Sequence, residues 1–175
     1  MIFLAQDQIS ALSLCAEILM GPSREINTHI NHLKAFIPEH TFSSELNSDL
    51  LESEYIQLFS VGATSNQCVP LASWWIDGKM MGKSFSEIKD FYYECGFVVD
   101  RDIIKVPEDH VGLMLLFVAL LCEEKKYREV DFFITHYLPW LNKLELSIEK
   151  ALPKSIFLKV VSISKNILYL LKEKE

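Results

Sequence analysis

Apolar residues recur along most of this chain at intervals of three and four positions, and no stretch alternates strictly between apolar and polar residues. This spacing is typical of amphipathic helices and predicts an all-α fold. A first helix is expected to end at Gly21-Pro22, a second to run from about Ser23 to Phe36, and a third to have Ser43 or Ser44 as its N-cap. The first stripe consists of Ile9, Leu12, Ala16 and Leu19, and the third of Leu46, Leu50, Leu51, Tyr55, Leu58 and Phe59.

The middle of the chain interrupts this pattern. Residues 60–71 are rich in Gly, Ser, Asn and Pro, which favours a loop, and the segment SWWIDGKMMG that follows is too short and mixed to assign. Ser84-Phe85-Ser86-Glu87 has the pattern of a capping box, so a helix is expected from there to Gly96. Residues 97–105 are interpreted as a connector with room for extended structure.

The second half contains the most apolar segment. Pro107 is expected to begin this helix, because proline has no N–H and the first helical position needs none. Residues 111–122 are apolar on all sides, which predicts one fully buried central helix surrounded by the others. Helical stretches at 127–150, broken near Pro139, and at 153–172 complete the pattern. The prediction is a single all-helical domain, residues 1–175, folded as a bundle.

Composition narrows the classes of function. Half of the 175 residues are apolar, and 17 basic against 24 acidic residues leave a formal charge of −7. A domain of this length buries a substantial core, and the surplus of acid argues against binding the phosphates of nucleic acids. An acidic surface accommodates a basic partner, although this charge is also ordinary for a soluble domain.

The cysteines and the N-terminus indicate the cytoplasm. Cys15, Cys68, Cys95 and Cys122 show no CxxC spacing, and a domain with a full core needs no disulfides, so all four are expected to be reduced. The apolar N-terminus has no Lys or Arg before Arg24, unlike a signal peptide, and the longest apolar run is too short to span a bilayer. We therefore expect a soluble cytoplasmic protein without membrane insertion.

Motifs for nucleophilic catalysis and nucleotide binding are absent from the sequence, which contains no GxSxG, no P-loop and no GxGxxG. Glu25, His29 and His32, with His40 nearby, have a spacing that metal sites on helices use. The same spacing is far commoner on a solvated helix face, so no metal site is expected there.

The pair Asp109-His110 admits two interpretations. Helical metal-dependent phosphohydrolases use a His-Asp pair with further ligands on other helices, but here the order is reversed and the other histidines lack that arrangement. Alternatively, Glu108 and Asp109 are acids in a first helical turn, where they interact favourably with the helix dipole. His110 would then be the first residue to turn toward the core or a neighbouring loop.

Two adjacent tryptophans, Trp74 and Trp75, follow Pro70 and precede Asp77. Two neighbours on one helical turn cannot both point into the same core, so at least one is expected near the surface or lining a groove. Tryptophan offers a large rigid apolar area and is enriched at binding hot spots. The alternative is that neighbouring helices bury both side chains.

Four blocks of the sequence, taken in order, resemble one family. EYIQLF at 54–59 is similar to its ExYxxLF helix end, and the segment 70–82, PLASWWIDGKMMG, is similar to its Trp-containing loop. PEDH at 107–110, followed by LMLLFVALL, resembles its EPxDH central helix, and HYLPWL at 136–141 resembles its HLxPWL segment. The family is the TorD/DmsD/NarJ group of cytoplasmic maturation chaperones for molybdenum-containing redox enzymes, and the resemblance covers about residues 50–170.

The resemblance implies a protein that works by binding rather than catalysis. Its client would be the twin-arginine signal peptide, or the immature catalytic subunit, of a molybdopterin oxidoreductase, which is kept from export until its cofactor is loaded. The chaperone would hold no cofactor of its own. Asp109, with Glu108 or Asp77, would supply carboxylates for guanidinium groups, and aromatic side chains would take the apolar part. The client-binding residues implied are Tyr55, Phe59, Pro70, Trp74, Trp75, Asp77, Pro107, Glu108, Asp109 and His110.

One position departs from the family pattern, and two other functions stay open. Val106 stands where the family has a glutamate before the proline, so a partner contact that depends on this carboxylate is not carried over. The alternatives are a helical metal-dependent hydrolase using Asp109 and His110, and a non-catalytic helical adaptor. A monomer is the default expectation because no exposed heptad seam is evident, although members of the family form domain-swapped dimers.

Overall fold

The computed structural model describes residues 6–21, 25–36, 47–60 and 68–172 of the chain. Within these ranges there are nine α-helices and no β-strand, and Leu71 and His110 form an isolated antiparallel bridge. The helices are α1 (Gln6–Met20), α2 (Ile26–Phe36), α3 (Ser48–Phe59), α4 (Ala72–Asp77), α5 (Lys83–Glu94), α6 (Val111–Glu123), α7 (Tyr127–Tyr137), α8 (Leu141–Ala151) and α9 (Ile156–Lys172). The all-α prediction is confirmed.

Several helix ends agree with the local sequence signals, and one N-cap does not. Helix α1 ends at Met20, directly before Gly21, and α7 and α8 are separated around Pro139. Helix α3 is capped by Asn47, whose side chain accepts a hydrogen bond from the main-chain N–H of Asp49 at 2.9 Å. The prediction of a serine cap at 43 or 44 is therefore wrong, and both serines lie outside the described residues, as do His40, residues 22–24 and the loop segment 61–67.

Two further helix starts differ from prediction. Helix α6 begins at Val111 with His110 as its N-cap, four residues after the predicted start at Pro107. Helix α5 begins at Lys83 with Gly82 as its N-cap, so Ser84 is the second helical residue rather than the cap. The unassigned tryptophan segment contains the short helix α4. The starts of α4 and α6 depend on contacts with a distant part of the chain, and the start of α5 depends on Asp77 at the end of α4, as described below.

The most extensive helix packing joins α1 to α6. Helix α1 also packs on α2 and α9, α7 contacts both α6 and α9, and α8 packs on α9. Ten of the 13 residues of α6 are buried, while Leu116 and Leu120 are half-buried and Glu123 is exposed. This burial explains why α6 lacks a polar face.

An aromatic cluster fastens α5 to α6 and α7. The ring of Tyr92 lies 4.1 Å from that of Phe117, and Phe117 lies 4.9 Å from Phe133, measured between ring centroids. Phe91 joins the same cluster through a ring contact with Phe133 at 5.6 Å. Aromatic pairs in this geometry add to the free energy gained from burying their area. The cluster therefore holds α5, and the loop before it, against the core.

All four cysteines are free, as expected, with Cys15, Cys68 and Cys122 buried and Cys95 half-buried. Burial raises the pKa of the Cys15 and Cys122 thiols to about 12, which keeps both protonated and unreactive. Among the helices of the described ranges, none combines the length and the apolar character that crossing a membrane requires.

Candidate functional site

The segment around the tryptophans is joined directly to the segment that precedes α6. We call residues 70–82 the Trp loop and residues 107–110 the PEDH segment. The main-chain N–H of Val111 donates to the carbonyl of Pro70 at 2.8 Å, and that of Ala72 donates to the carbonyl of Asp109 at 2.9 Å. These two bonds flank the bridge between Leu71 and His110. Because this pairing requires extended backbone, helix α6 cannot start at Pro107.

Asp109 caps helix α4 from a distant part of the chain. Leu71 occupies the N-cap position and has no side-chain acceptor, so the first N–H groups of α4 need another partner. The carboxylate Oδ2 of Asp109 accepts from the main-chain N–H of Ser73 at 3.0 Å. The Ser73 hydroxyl in turn accepts from the N–H of Met81 at 3.0 Å. Asp109 thus anchors the start of the Trp loop, and Ser73 connects that start to Met81 near its end. The Oδ1 of Asp109 is buried without a hydrogen-bond partner.

Asp77 caps helix α5 in the same way. Gly82, at the N-cap position, has no side chain, and Oδ2 of Asp77 accepts from both the N–H and the hydroxyl of Ser84, at 2.9 and 2.6 Å. A Cβ on residue 82 would lie 2.7 Å from the Cβ of Asp77, so glycine is required for this approach. The carboxylates of Asp77 and Asp109 therefore satisfy helix N-termini within the fold.

We expect Asp109→Ala to lower the free energy of unfolding by about 1–2 kcal/mol, because the buried N–H of Ser73 loses its acceptor. Asp109→Asn is the matched variant, since its amide oxygen can still accept that hydrogen bond, and it should lose less than half as much. Urea denaturation of both variants measures the difference. Equal losses would show that charge, rather than the cap, explains the role of Asp109.

We expect Asp77→Ala to cost about 1 kcal/mol of stability, the usual effect of removing an N-cap acceptor. The loss should appear as faster amide exchange in the first turn of α5 while the rest of the chain keeps its protection. Asp90→Ala, which removes an exposed acid from the same helix, is the control and should change stability by less than about 0.5 kcal/mol. Similar losses in both variants would contradict the capping role.

Glu108 is held by the connector that precedes it. Its carboxylate forms an ion pair with Arg101, whose guanidinium also donates to the carbonyl of Val106 at 2.6 Å. The hydroxyl of Tyr92 donates to the main-chain carbonyl of Glu108 at 2.9 Å. Burial raises the pKa of Tyr92 well above its ordinary value, and the charges of Asp109 and Glu108 add to this. Glu108 and Asp109 are thus buried acids with partners inside the fold.

His110 caps helix α6 with its ring. Nδ1 accepts from the main-chain N–H of Gly112 at 3.2 Å, a bond that requires this nitrogen to be unprotonated. Burial lowers the pKa of His110 from 6.5 to about 4, so the ring is neutral at pH 7. The alternative to a metal site is right that His110 lies at the helix start, but it is wrong about the acids, because Glu108 and Asp109 precede α6 and do not lie in its first turn.

Trp74 and Trp75 are both half-buried. The indole N–H of Trp75 donates to the carbonyl of Val69 at 2.7 Å, and its ring packs against the core. Beyond them, Ile76, Met80 and Met81 are exposed apolar side chains. Met81 is 69% exposed and has a φ of 53°, a left-handed conformation that a non-glycine residue seldom adopts. We call Trp74, Ile76, Met80 and Met81 the Trp-loop patch.

Tyr55 and Phe59 have contacts with a different set of elements. Their rings lie 5.5 and 5.6 Å from that of Phe157 in α9, and the Tyr55 hydroxyl donates to the carbonyl of Leu19 at 3.3 Å. Burial raises the pKa of Tyr55 to about 12. The structure therefore unites Pro70, the tryptophans and Asp77 with the PEDH segment, and connects Tyr55 and Phe59 to α1 and α9.

Sequence reasoning missed the residues that hold the Trp loop in place. Ser73 was noticed only as part of a motif, although its N–H and hydroxyl connect Asp109 to Met81. Gly82 was likewise noticed only as part of that motif, and Arg101 was not noticed, although each positions an acid. The available signal was a helix start without a capping side chain, at Leu71 and at Gly82.

His29, one of the histidines considered for a metal site, has two acidic neighbours. Nε2 of His29 lies 3.3 Å from a carboxylate oxygen of Glu17 and 3.6 Å from one of Glu25. In the part of the chain that the structure describes, no three His, Cys, Asp or Glu side chains form a group that could hold a metal ion. His32 is exposed, and His40 falls outside that part.

Comparisons with known proteins agree with the motif pattern and the fold. The family model of the nitrate reductase delta subunit matches residues 21–145, which is more than half of the chain. The probable Tat proofreading chaperone DmsD of Haemophilus influenzae is 29% identical over 106 residues, which cover 54% of this chain and 51% of that protein. The chain thus spans about half the length of this curated relative.

A solved structure has the same fold. It is the crystal structure of a protein assigned to redox enzyme maturation in Archaeoglobus fulgidus, with a TM-score of 0.61 and 16% identity, covering 98% of this chain and 96% of that one. The chain belongs to the nitrate reductase delta subunit family, the group that also includes TorD, DmsD and NarJ. This confirms the family resemblance seen in the four sequence blocks.

Proposed function

We propose that this protein is a maturation chaperone that binds the twin-arginine signal peptide, the immature catalytic subunit, or both, of a molybdopterin oxidoreductase. The observation that carries the proposal is the direct pairing of the Trp loop with the PEDH segment, two of the four family-like blocks. Family membership and the similarity to a Tat proofreading chaperone support the same conclusion.

The Trp-loop patch is the proposed contact for the apolar part of the client. Methionine side chains adapt their shape to different apolar partners, and tryptophan adds rigid area at a low cost in entropy. A non-glycine residue in a left-handed conformation is a form of local strain that is common at binding sites. The strain at Met81 is supported by the hydrogen bond from its N–H to Ser73.

The buried acids would contribute to client binding indirectly, by holding the Trp-loop patch in position. Asp77, Glu108 and Asp109 are engaged with Ser84, Arg101 and Ser73, so a client arginine could reach them only if the loop moved. We therefore assign them a positioning role: they set the conformation of the Trp loop. Pro70 and His110 share this role through the main-chain pairing and the α6 cap. Pro107, Trp75, Tyr55 and Phe59 remain predicted client contacts.

The wider setting of the function is proposed on the same basis. The chain would act in the cytoplasm as a monomer, with residues 1–175 as one domain assembled around α6 as its central helix. The extensive packing of α1 on α6 supports this arrangement. The molybdopterin cofactor would belong to the client, and the chaperone would hold none permanently.

Co-purification with an authentic client tests the proposal. The probe is a molybdopterin oxidoreductase catalytic subunit from the same organism, produced as the full precursor, without its signal peptide, and as the signal peptide fused to an unrelated carrier. We expect the tagged chaperone to retain the full precursor and at least one of the other two forms. Failure to retain any of the three would overturn the proposed function.

Variants of the patch sharpen this test. Met81→Gly removes the most exposed patch side chain and suits the local φ, so the fold should be kept. It should weaken client binding at least fivefold, whereas Leu146→Ser, at an exposed apolar position on α8, should leave binding unchanged. Equal binding by wild type and Met81→Gly would remove the patch from the proposed contact surface.

A further inference from the structure

Two adjacent methionines of the Trp loop are the most exposed sulfur-containing residues in the described part of the chain. Met81 is 69% exposed and Met80 is 42% exposed. Met20 is half-buried near the first turn of α6, Met114 is fully buried, and Met1 lies outside the described residues. Oxidation of a sulfur-containing side chain depends on the access of solvent to its sulfur. A soluble oxidant therefore reaches the thioethers of Met80 and Met81 before those of Met20 and Met114.

The cysteines of the chain are poor targets for the same oxidant. Three of them are buried, and the fourth, Cys95, is half-buried. Burial raises the pKa of all four thiols, which lowers the fraction of thiolate, the form that oxidants attack. A thioether has no proton to lose, so the reactivity of Met80 and Met81 does not depend on a pKa.

Both methionines belong to the surface proposed to contact the client. The Trp-loop patch consists of Trp74, Ile76, Met80 and Met81, so the two thioethers are half of its side chains. A sulfoxide replaces a flexible apolar group by a polar one, and this change disrupts methionine-rich contact surfaces. Oxidation of Met80 and Met81 therefore makes half of this apolar surface polar.

The hydrogen bonds that hold the Trp loop use groups other than the methionine sulfur atoms. The main-chain N–H of Met81 donates to the Ser73 hydroxyl, and the N–H of Ser73 donates to Asp109. Asp77 holds the start of α5 through the N–H and the hydroxyl of Ser84. A sulfoxide on an exposed side chain leaves these bonds in place. The polarity of the surface therefore changes while the loop keeps its conformation.

We propose that Met80 and Met81 form an oxidation site that switches the Trp-loop patch from apolar to polar, with hydrogen peroxide as the oxidant. A lone pair of the thioether sulfur attacks one peroxide oxygen and the O–O bond breaks. The released hydroxide takes the proton of the transferred hydroxyl and leaves as water. The sulfur loses two electrons, the peroxide gains them, and methionine sulfoxide reductases reverse the change. The consequence for client binding rests on the proposed function, whereas the modification itself does not.

Peptide mapping by mass spectrometry after treatment with hydrogen peroxide tests the site. Met80 and Met81 should form sulfoxide about tenfold faster than Met114. Hydrophobic-interaction chromatography of the folded protein should show earlier elution after treatment, because the patch has become polar. Methionine sulfoxide reductases should restore the original elution. Sulfoxide formation at Met114 as fast as at the pair would overturn the proposal, since solvent access would then not select the site.

Two variants assign the elution shift to this pair of residues. Met80→Leu/Met81→Leu replaces both thioethers by apolar groups of similar volume that peroxide does not attack, and it should lose most of the shift. Met20→Leu is the matched control, because it removes a half-buried thioether outside the patch, and it should keep the shift. Each protein is compared with its own untreated form. Equal shifts in wild type and the double variant would overturn the proposal.

Retention of the client precursor separates this inference from the proposed function. Oxidised wild type should retain the precursor about fivefold less than its untreated form, whereas treatment should change the retention by the double variant far less. Unchanged retention by selectively oxidised wild type would overturn the switch while the chaperone function stands. If the untreated protein retains no form of the client, the proposed function fails, and the mapping and elution results still decide whether Met80 and Met81 are the oxidation site.

Discussion

Replacing Gly112 with alanine is expected to lower the free energy of unfolding by about 2–3 kcal/mol. A Cβ at this position would lie 2.6 Å from the main-chain oxygen of Ala16 and 3.0 Å from the main-chain nitrogen of Met20. These atoms belong to the backbone of α1, so the clash can be relieved only by moving the two helices apart. Because α1 and α6 form the most extensive helix contact, that movement disturbs the core.

The sign of this effect distinguishes packing from helix propensity. In an open helical site, Gly→Ala stabilises by about 1 kcal/mol because alanine loses less backbone entropy. At Gly112 the cost of overpacking against a main-chain oxygen exceeds this gain. Chemical denaturation of the purified variant measures the net change, and a stabilised Gly112→Ala protein would show that the helices separate at little cost.

A double variant identifies which contact causes the loss. The side chain of Met20 also lies close, with its Cγ 2.6 Å from the place that the added Cβ would occupy, and this flexible side chain can move away. Met20→Ala in the Gly112→Ala background should therefore recover little stability. Full recovery would show that the side chain, rather than the backbone of α1, limits the size of residue 112.

The helical pattern was readable from the sequence because it depends on local spacing. The stripe containing Leu12 and Leu19 is buried in α1, and the uniformly apolar segment after His110 became a helix with ten buried residues. The break at Pro139 was also predicted correctly, because proline restricts the backbone wherever it occurs. These signals need no knowledge of distant parts of the chain.

The starts of α5 and α6 could not be read in this way. A proline followed by two acids resembles a first helical turn, and residues 107–110 do form a turn, closed by a hydrogen bond from the N–H of His110 to the carbonyl of Pro107. This turn does not continue into α6, because His110 has extended backbone and Val111 pairs with Pro70. A serine three residues before a glutamate resembles a capping box, yet Asp77 supplies the cap of α5 from outside the helix. Both errors arise because a residue outside the helix supplies the hydrogen bond that local sequence was expected to provide: Pro70, far along the chain, for α6, and Asp77, at the end of α4, for α5.

The contact between the Trp loop and the PEDH segment is the part of the candidate site that the sequence indicated, while client binding by its residues stays a prediction. The order of the four blocks indicated that the tryptophans and the Asp109-His110 pair belong together, and the structure joins them. Direct pairing of Asp109 or Glu108 with a client arginine stays a prediction, which their burial makes dependent on movement of the loop.

The second large effect expected is on the pH dependence of stability. Because of His110, the free energy of unfolding should fall by about 2 kcal/mol when the pH is lowered from 7 to 5. In the folded protein burial lowers the pKa of His110 to about 4, against an ordinary value of 6.5. Between these two values the unfolded chain binds a proton that the folded chain does not. Stability from this residue is therefore complete above pH 6.5 and is lost as the pH falls toward 4.

The structural cause of this pH dependence is the cap that the His110 ring forms on α6. A variant whose cap does not titrate therefore serves as the control. Protonation of Nδ1 would remove the acceptor for the N–H of Gly112 and place a charge in a buried site. His110→Asn keeps an N-cap acceptor that does not titrate and leaves every other side chain of the protein unchanged. Urea denaturation at pH 7, 6 and 5 should show that the stability of wild type falls more steeply than that of the variant, by about 2 kcal/mol over the range. Parallel profiles would mean that His110 is not held neutral by the fold, and that its ring does not cap the helix on which the PEDH segment depends.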